Sequence, residues 1–197
     1  MKKAIALLAL VSSSAFAANV EIYGIDNSHS FANWNIRHVV SRTSGTFTNV
    51  KGKISIDRDN LANSSVEARI NVLSVSSNHA KRDENIKKEE YLDAGKYSEM
   101  RFVSSKVQAT SANEGILTGT LTMHGISKEM SFPFKVLGFG PDPWGGQRMG
   151  LEAHTALKAS DFGFTWPLKP NAPIGDDIEI TLFIEGVKSN QGYKPWN

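Results

Sequence analysis

Apolar and polar residues alternate with a period of two along most of this 197-residue chain, and this pattern constrains the fold most strongly. In the clearest example, Val66, Ala68 and Ile70 alternate with Glu67 and Arg69. Such alternation is typical of β-strands that bury one face and expose the other. Eight such segments occur, at residues 30–40, 45–57, 64–76, 99–109, 115–124, 128–138, 148–159 and 177–187.

The stretch between the third and fourth segments does not alternate. Residues 79–93 are rich in Lys, Arg, Asp and Glu and contain neither Gly nor Pro. Asn78 can cap a helix there, and Ile86 and Tyr91 can face inward, so the sequence predicts one short helix. The charges of this stretch are typical of a solvated helix face.

Eight strands with a single helix argue against a parallel α/β fold, in which strands and helices alternate. We predict an all-β domain, an eight-stranded antiparallel up-and-down β-barrel with one short helix between strands three and four, because closure removes exposed strand edges. An eight-stranded barrel encloses space for side chains or for one small ligand. A two-sheet sandwich is the structural alternative.

Alternation alone does not say which face of the strands points inward, since an outer-membrane barrel alternates with its apolar face outward. The polar face here is dense in charged residues, which a narrow eight-stranded interior cannot accommodate. About ten polar residues also follow the last strand, and no later segment has the length of a transmembrane helix. We therefore expect an apolar interior and no integral membrane insertion.

The first residues have the order of a secretory signal. Lys2 and Lys3 precede an apolar run at residues 4–11, and Ala15-Phe16-Ala17 has the small-x-small pattern of a cleavage site. We predict a signal peptide at residues 1–17, a single domain at 18–187, a flexible tail at 188–197 and a periplasmic location. Removing residues 1–17 takes two of the 22 Lys and Arg and none of the 20 Asp and Glu, which leaves a neutral chain and no reason to expect nucleic-acid binding.

Motifs for catalysis and metal binding are weak. The chain has no cysteine, no Gly-x-Ser-x-Gly elbow and no Gly-rich phosphate loop, and its five histidines lack zinc-ligand spacing. Asp161 and the pair Asp176-Asp177 could act as paired carboxylates, but Asp161 is better explained as a turn residue. We predict no enzyme activity, no metal and no cofactor.

A series of short motifs resembles the YceI-like family. The series covers about 160 residues, and its order and spacing carry the resemblance. It runs through Tyr23-Gly24-Ile25-Asp26, His29-Ser30, Arg37-His38, Gly45-Thr46-Phe47, Gly52-Lys53-Ile54, Arg82-Asp83, Tyr91-Leu92-Asp93, Leu121-Thr122-Met123-His124-Gly125, Asp142-Pro143-Trp144-Gly145, Ser160-Asp161-Phe162-Gly163 and Ile174-Gly175-Asp176-Asp177.

The resemblance implies a lipocalin-like barrel that is periplasmic or secreted and binds a long polyisoprenoid with a pyrophosphate or quinone head group. Two positions depart from the family pattern. Ala159 stands where an Arg often precedes Ser-Asp-Phe-Gly, and Asn85 stands where a His often follows Arg-Asp. If either position helps to hold the head group, the head preference of this chain differs.

Apolar residues of the strands form the candidate ligand lining, although each one alone reads as ordinary core. Arg37, His38 and Arg42, near the end of the first predicted strand, are candidates for contact with an anionic head group. The candidate lining is Trp34, Ile36, Phe47, Ile54, Ile70, Val72, Phe102, Leu121, Phe132, Phe134, Leu151, Ile180 and Leu182.

The first hypothesis is a periplasmic binder or carrier of an isoprenoid lipid, in transient contact with the membrane or paired as a homodimer that shields the barrel mouth. An enzyme acting on such a lipid is the second, and it needs a polar cluster inside the barrel. A stress-related structural barrel with a packed interior is the third.

Overall fold

A computed structural model describes residues 19–189 of the chain. The predicted signal peptide at residues 1–17 lies outside the described residues, as does the part of the predicted tail beyond residue 189. The strands are β1 (Val20–Ile25), β2 (Phe31–His38), β3 (Ser41–Phe47), β4 (Val50–Asp57), β5 (Ser65–Asn71), β6 (Val75–Ser76), β7 (Glu99–Ala109), β8 (Glu114–Met123), β9 (Ile126–Pro141), β10 (Gln147–Lys158) and β11 (Ile174–Lys188).

These strands form one antiparallel sheet that closes on itself. The hydrogen-bonded order is β1-β4-β5-β7-β8-β9-β10-β11-β2-β3-β6, and pairing of β1 with β11 closes the ring. β1 and β2 are two parts of one interrupted strand, because both pair with β11. β3 and β4 form the next long strand, since they pair with β2 and β1 in turn, and β5 and β6 form the third, since they pair with β4 and β3. The prediction of an eight-stranded up-and-down barrel is therefore confirmed.

β1 was not among the eight predicted segments, and its burial pattern explains why. Tyr23 and Ile25 are buried, whereas Val20 and Ile22 are exposed, so apolar residues occupy both faces and conceal the alternation. A 3-10 turn at Asn27–His29 separates β1 from β2, and the Asp26 side chain caps it by accepting a hydrogen bond from the Ser28 backbone N–H at 2.9 Å.

The predicted helix is present between the third and fourth long strands as α1 (Ala80–Ile86), shorter than the predicted 79–93. His79 rather than Asn78 caps it, since the His79 side chain accepts a hydrogen bond from the Arg82 backbone N–H. Turns follow α1 up to β7. No helix within residues 19–189 has the length and apolar character that a transmembrane span requires.

The apolar face of the strands points into the barrel and the charged face points outward. On β4, for example, Val50, Ile54 and Ile56 are buried, while the alternate residues Lys51 and Lys53 are not. Ion pairs bridge neighbouring strands on the outer wall, such as Arg101 with Glu67 at 2.7 Å. The interior is therefore apolar, as the density of charge on the other face predicts.

The connections between strands collect at two ends of the barrel. We call one the mouth end; it contains the β2–β3 hairpin tip at 39–40, the α1 segment at 77–98, the β8–β9 turn at 124–125 and the segment 159–173. We call the other the closed end; it contains residues 58–64, 110–113 and 142–146.

Candidate ligand cavity

The barrel interior encloses a cavity of about 470 Å³, which lies within the range of ~300–1,000 Å³ that is typical of small-molecule sites. Its lining is almost entirely apolar. On β11 the lining extends from Ile174 to Ile184 through Ile178, Ile180 and Leu182. Ten residues of strand at a barrel tilt of ~40° span roughly 25 Å along the barrel axis. The cavity thus follows most of the length of the barrel, which suits an elongated apolar ligand.

Twelve of the thirteen predicted lining residues surround this cavity; they are Trp34, Ile36, Phe47, Ile54, Ile70, Phe102, Leu121, Phe132, Phe134, Leu151, Ile180 and Leu182. Val72 is the exception. It is buried in a 3-10 turn, Val72–Ser74, between β5 and β6, and its N–H donates to the Ser98 carbonyl. The turn breaks the alternation at this point, so Val72 packs beside the cavity rather than lining it. Contact of the twelve residues with a ligand stays a prediction.

Other lining residues come from elements without a clear period. Ile86, Tyr91 and Leu92 enter from the α1 segment, and Phe164 and Trp166 enter from the segment 159–173. In such turns no spacing rule tells an inward side chain from an outward one. Of these five residues, the sequence predicts an inward position only for Ile86 and Tyr91, and the motif Tyr91-Leu92-Asp93 also carries part of the family resemblance.

Only one of the three head-group candidates lines the cavity. His38 does so, whereas Arg37 and Arg42 lie on the outer wall. Arg37 donates to the carbonyls of Val39 and Ala172, and Arg42 pairs with Glu179 at 2.9 Å. The same period of two that places His38 inside places its neighbour Arg37 outside. A head group inside the cavity would therefore contact His38 but neither arginine.

Arg82 and Asn85 of α1 also line the cavity, although neither was among the head-group candidates. The sequence marks Asn85 only as a departure from the family pattern and Arg82 only as part of the Arg82-Asp83 motif. The Arg82 guanidinium is held in place because Nε donates to Ser77 Oγ at 2.6 Å and Nη2 donates to the Ser77 carbonyl at 2.7 Å. Arg82 and Asn85 lie one helical turn apart at i and i+3, so both can face the mouth end. Together with His38 they give that end of the cavity its polar character.

A chain of aromatic contacts lies across the mouth end. The ring of His124 stacks on Phe164 with a centroid distance of 4.5 Å, and Phe164 stacks on Trp166 at the same distance. Tyr97 contacts the edge of His124 at 4.4 Å, and Tyr91 contacts Trp166 at 5.8 Å. These contacts link the β8–β9 turn, the segment 159–173 and the α1 segment into one cover over the cavity.

Trp34 contributes a polar atom to the apolar wall. Its indole Nε1 is buried and has no hydrogen-bond partner among the described residues. A Cβ at Gly45, on the paired strand β3, would lie 2.4 Å from Trp34 Cζ2, so the glycine is needed to seat the ring. A buried unpaired N–H carries a desolvation cost, which an acceptor atom on a ligand would offset.

The carboxylates considered for catalysis do not line the cavity. Asp161 lies 3.6 Å from Lys128 Nζ, and Asp176 accepts hydrogen bonds from the backbone N–H and the hydroxyl of Ser160, both at 2.7 Å. Asp177 pairs with Lys158 at 2.8 Å. Each carboxylate is thus paired with a nearby lysine or serine outside the cavity.

A denser charge cluster lies toward the closed end of the barrel, away from the cavity. Asp26, His29 and Glu185 offer ligand atoms within 4.8 Å of one another, a spacing that a metal ion could use. However, the Arg148 guanidinium already bonds to Asp26 at 2.6 Å, to Asp142 at 2.9 Å and to Glu185. Three carboxylates on one arginine indicate a structural latch between β1, β10 and β11.

Comparison with known proteins agrees with this architecture. Residues 23–186 match the family model described as a YceI-like domain. A UPF0312 protein of Ectopseudomonas mendocina (strain ymp) is 37% identical over 195 residues, which cover 95% of this chain and 99% of that protein.

Two solved structures share the fold. BcnA of Burkholderia cenocepacia has a TM-score of 0.74 at 20% identity and covers 82% of this chain and 98% of its own. A polyisoprenoid binding domain from Saccharophagus degradans, implicated in plant cell wall breakdown, has a TM-score of 0.65 at 14% identity, with coverage of 85% and 98%. At these identities the two structures support the fold alone. The family match and the relative's identity show that this chain belongs to the YceI-like family.

Proposed function

We propose that this protein binds an isoprenoid lipid inside its barrel and carries it through the periplasm without chemistry of its own. The observation that carries the proposal is the apolar cavity of about 470 Å³, lined over most of the barrel length by aliphatic and aromatic side chains. A protein of the same fold is described as polyisoprenoid-binding, which supports the ligand class.

The energetics favour a long apolar tail. Burial of a methylene contributes ~0.8 kcal/mol, so a tail of ~15 carbons offers on the order of 12 kcal/mol before costs. Ordering the flexible chain and losing its free motion take back several kcal/mol. The free energy that remains permits tight binding, which depends on the buried length of the tail and little on the head group.

Selection of the head group then falls to the mouth end. Arg82 supplies a cation that Ser77 holds in position, and His38 and Asn85 supply further polar atoms. An anionic pyrophosphate could pair with the guanidinium, while quinone carbonyls could accept hydrogen bonds from the same side chains. Asn85 takes the place of the histidine often found in the family, so its amide replaces a titratable group in this set.

The test is native mass spectrometry of protein purified from its own periplasm, followed by solvent extraction of the cargo. Two matched variants on β10 sharpen it. Ala153→Phe places a ring in the cavity, whereas Ala156→Phe makes the same change on the exposed outer face three residues away. We expect wild type and Ala156→Phe to carry a lipid whose mass resolves into isoprene units. Ala153→Phe should carry at least ~10-fold less of this lipid, because a ring occupies the path of the tail.

Thr155→Phe provides a second blocked variant in case Ala153→Phe does not fold, since Thr155 also lines the cavity. Circular dichroism would establish folding for each. A wild-type protein that carries no lipid and takes up no added prenyl lipid would contradict the proposal and favour a structural barrel. Cargo that both blocked variants retain in full would place the lipid outside the cavity.

A further inference from the structure

Three large apolar side chains are exposed at the mouth end. Val40 is 97% exposed and Val39 is 53% exposed at the β2–β3 hairpin tip, and Leu168 is 68% exposed in the segment 159–173. Both exposed positions lie close in sequence to residues that line the cavity. His38 immediately precedes Val39, and Trp166 lies two residues before Leu168. The exposed apolar surface therefore adjoins the cavity rim.

The β2–β3 hairpin tip and the segment 159–173 form one surface. The Val39 N–H donates to the Pro173 carbonyl at 2.6 Å, and Val39 and Pro167 line a common groove with Pro173. Arg37 braces the same surface, because its guanidinium donates to the carbonyls of Val39 at 3.2 Å and Ala172 at 3.1 Å. We call residues 37–40 and 166–173 the lip.

The backbone of the lip is strained at its tip. Val39 has φ 52°, in the left-handed region that β-branched residues rarely adopt. Asn, Asp or Gly would fit this hairpin turn at lower cost. An exposed apolar residue in a strained backbone conformation does not stabilise the fold, so it points to contact with another molecule.

Both charged residues of the lip are cationic. Arg37 and Lys169 both border the groove beside Val39, whereas Arg42 on the outer wall is paired with Glu179. Exposed aliphatic side chains flanked by cations fit the boundary between head groups and acyl chains of a membrane that contains anionic lipids. The flanking charge argues for this partner over a second protein with a neutral apolar face.

We propose that the lip docks the protein on an anionic phospholipid surface, with Val39, Val40 and Leu168 inserted, so that lipid passes between the membrane and the mouth end. This inference rests on the proposed lipid-carrier function. Docking in this orientation directs the cavity rim toward the acyl chains, which shortens the path that the apolar tail takes through water.

Trp144 in the closed-end loop 142–146 and Leu137 on β9 supply a matched control. Trp144 is 78% exposed and Leu137 is 54% exposed, but neither lines the cavity, and the Arg148 guanidinium lies 5.6 Å from the Trp144 ring centroid. These two residues offer a comparable exposed apolar area beside a cation. They separate a docking site at the mouth from general surface stickiness.

The test is flotation of the full protein with vesicles of phosphatidylethanolamine and phosphatidylglycerol, and with vesicles of phosphatidylcholine alone. We expect wild type to bind the anionic vesicles. Two variants, the double variant V39N/V40N and the single variant L168N, should each bind at least ~10-fold more weakly, because each loses inserted aliphatic area. Raised salt should weaken wild-type binding. The double variant L137N/W144N should bind as wild type does.

Cargo measured in parallel by native mass spectrometry separates the two proposals. We expect V39N/V40N to hold a preloaded prenyl lipid as wild type does, but to exchange it with vesicles at least ~10-fold more slowly. Three outcomes would overturn the docking proposal. Wild type could fail to bind the vesicles, V39N/V40N could bind them as wild type does, or L137N/W144N could lose as much vesicle binding as V39N/V40N. Lip-dependent binding by a protein that takes up no prenyl lipid would uphold docking and reject the carrier function.

Discussion

At the scale of single residues, Arg148 forms ion pairs with three carboxylates. Its guanidinium bonds to Asp26, Asp142 and Glu185 and so connects β10 with β1, β11 and the loop before β10. The three hydrogen bonds raise the pKa of Arg148, which stays charged at any relevant pH. Because β1 closes the barrel against β11, this latch acts at the seam of the ring.

Asp26 makes the stability of the latch dependent on pH. Burial raises the pKa of Asp26, but hydrogen bonds from Arg148, His29 and the Ser28 N–H outweigh burial and lower it from 3.8 to about 2. Since the folded pKa lies below the unfolded pKa, the stabilisation is present above about pH 4 and is lost as pH falls toward 2. Allowing for solvent screening, we expect a contribution of about 1 kcal/mol at neutral pH.

Asp26→Asn keeps the oxygen that caps the Asn27–His29 turn and removes the charge. Urea unfolding at several pH values should show the variant less stable than wild type at pH 7 by about 1 kcal/mol, with the gap closing near pH 2. The exposed Asp59→Asn serves as control and should follow wild type throughout. A gap that stays constant with pH would mean that Asp26 acts through packing and not through its charge.

The sequence predicts the cavity wall better than its ends. Twelve lining residues follow from alternation, since a strand assigns its faces by parity. Arg82 and Asn85 lie on a helix in a charge-rich stretch, where their contacts depend on how that helix packs on the barrel. Arg37 is a head-group candidate because it flanks the end of the first predicted strand, although the parity of that strand assigns its side chain to the outer wall.

At the scale of elements, the sequence predicts continuous strands and misses their interruptions. β7 has the predicted bounds, and β8, β9, β10 and β11 lie close to theirs. The first three long strands are each broken by a short turn that leaves both parts paired in the same ladder. Such a break depends on local caps, such as Asp26 before β2, rather than on the hydrophobic period.

The α1 segment is held by one buried serine. Ser77 N–H and Oγ both donate to Asp83, and Ser77 Oγ accepts from Arg82 Nε. Ser77→Ala removes the hydroxyl and leaves both charged side chains without it, at a cost of about 1.5–3 kcal/mol. Opening of this segment exposes the mouth end, so we expect amide hydrogen exchange over residues 77–98 and release of a bound prenyl lipid to become ~10-fold faster.

Ser111→Ala, in the β7–β8 turn at the closed end, is the matched control and should change neither rate. Hydrogen exchange read by mass spectrometry and lipid release to acceptor vesicles report the two quantities separately. If exchange over 77–98 quickened while lipid release stayed unchanged, the segment would cover the mouth without controlling passage through it.

At the scale of the whole molecule, the barrel combines a closed wall with an apolar interior. Closure satisfies the edges of the sheet, and the eight long strands leave room that side chains do not fill. A cavity of this kind forfeits packing contacts that a filled core would make. A ligand that occupies it restores those contacts, so binding and global stability are coupled.

This coupling predicts that cargo raises the melting temperature. A ligand at 100 times its Kd adds ~2.7 kcal/mol, which for a domain of this size raises Tm by roughly 5–10 °C. Delipidated wild type titrated with a prenyl lipid in detergent below its critical micelle concentration should therefore show a Tm that climbs with lipid concentration. Ala153→Phe should show no such climb, because its ring occupies the cavity, while Ala156→Phe should match wild type. A rise of equal size in all three would locate the stabilising contact on the outer surface and not in the cavity.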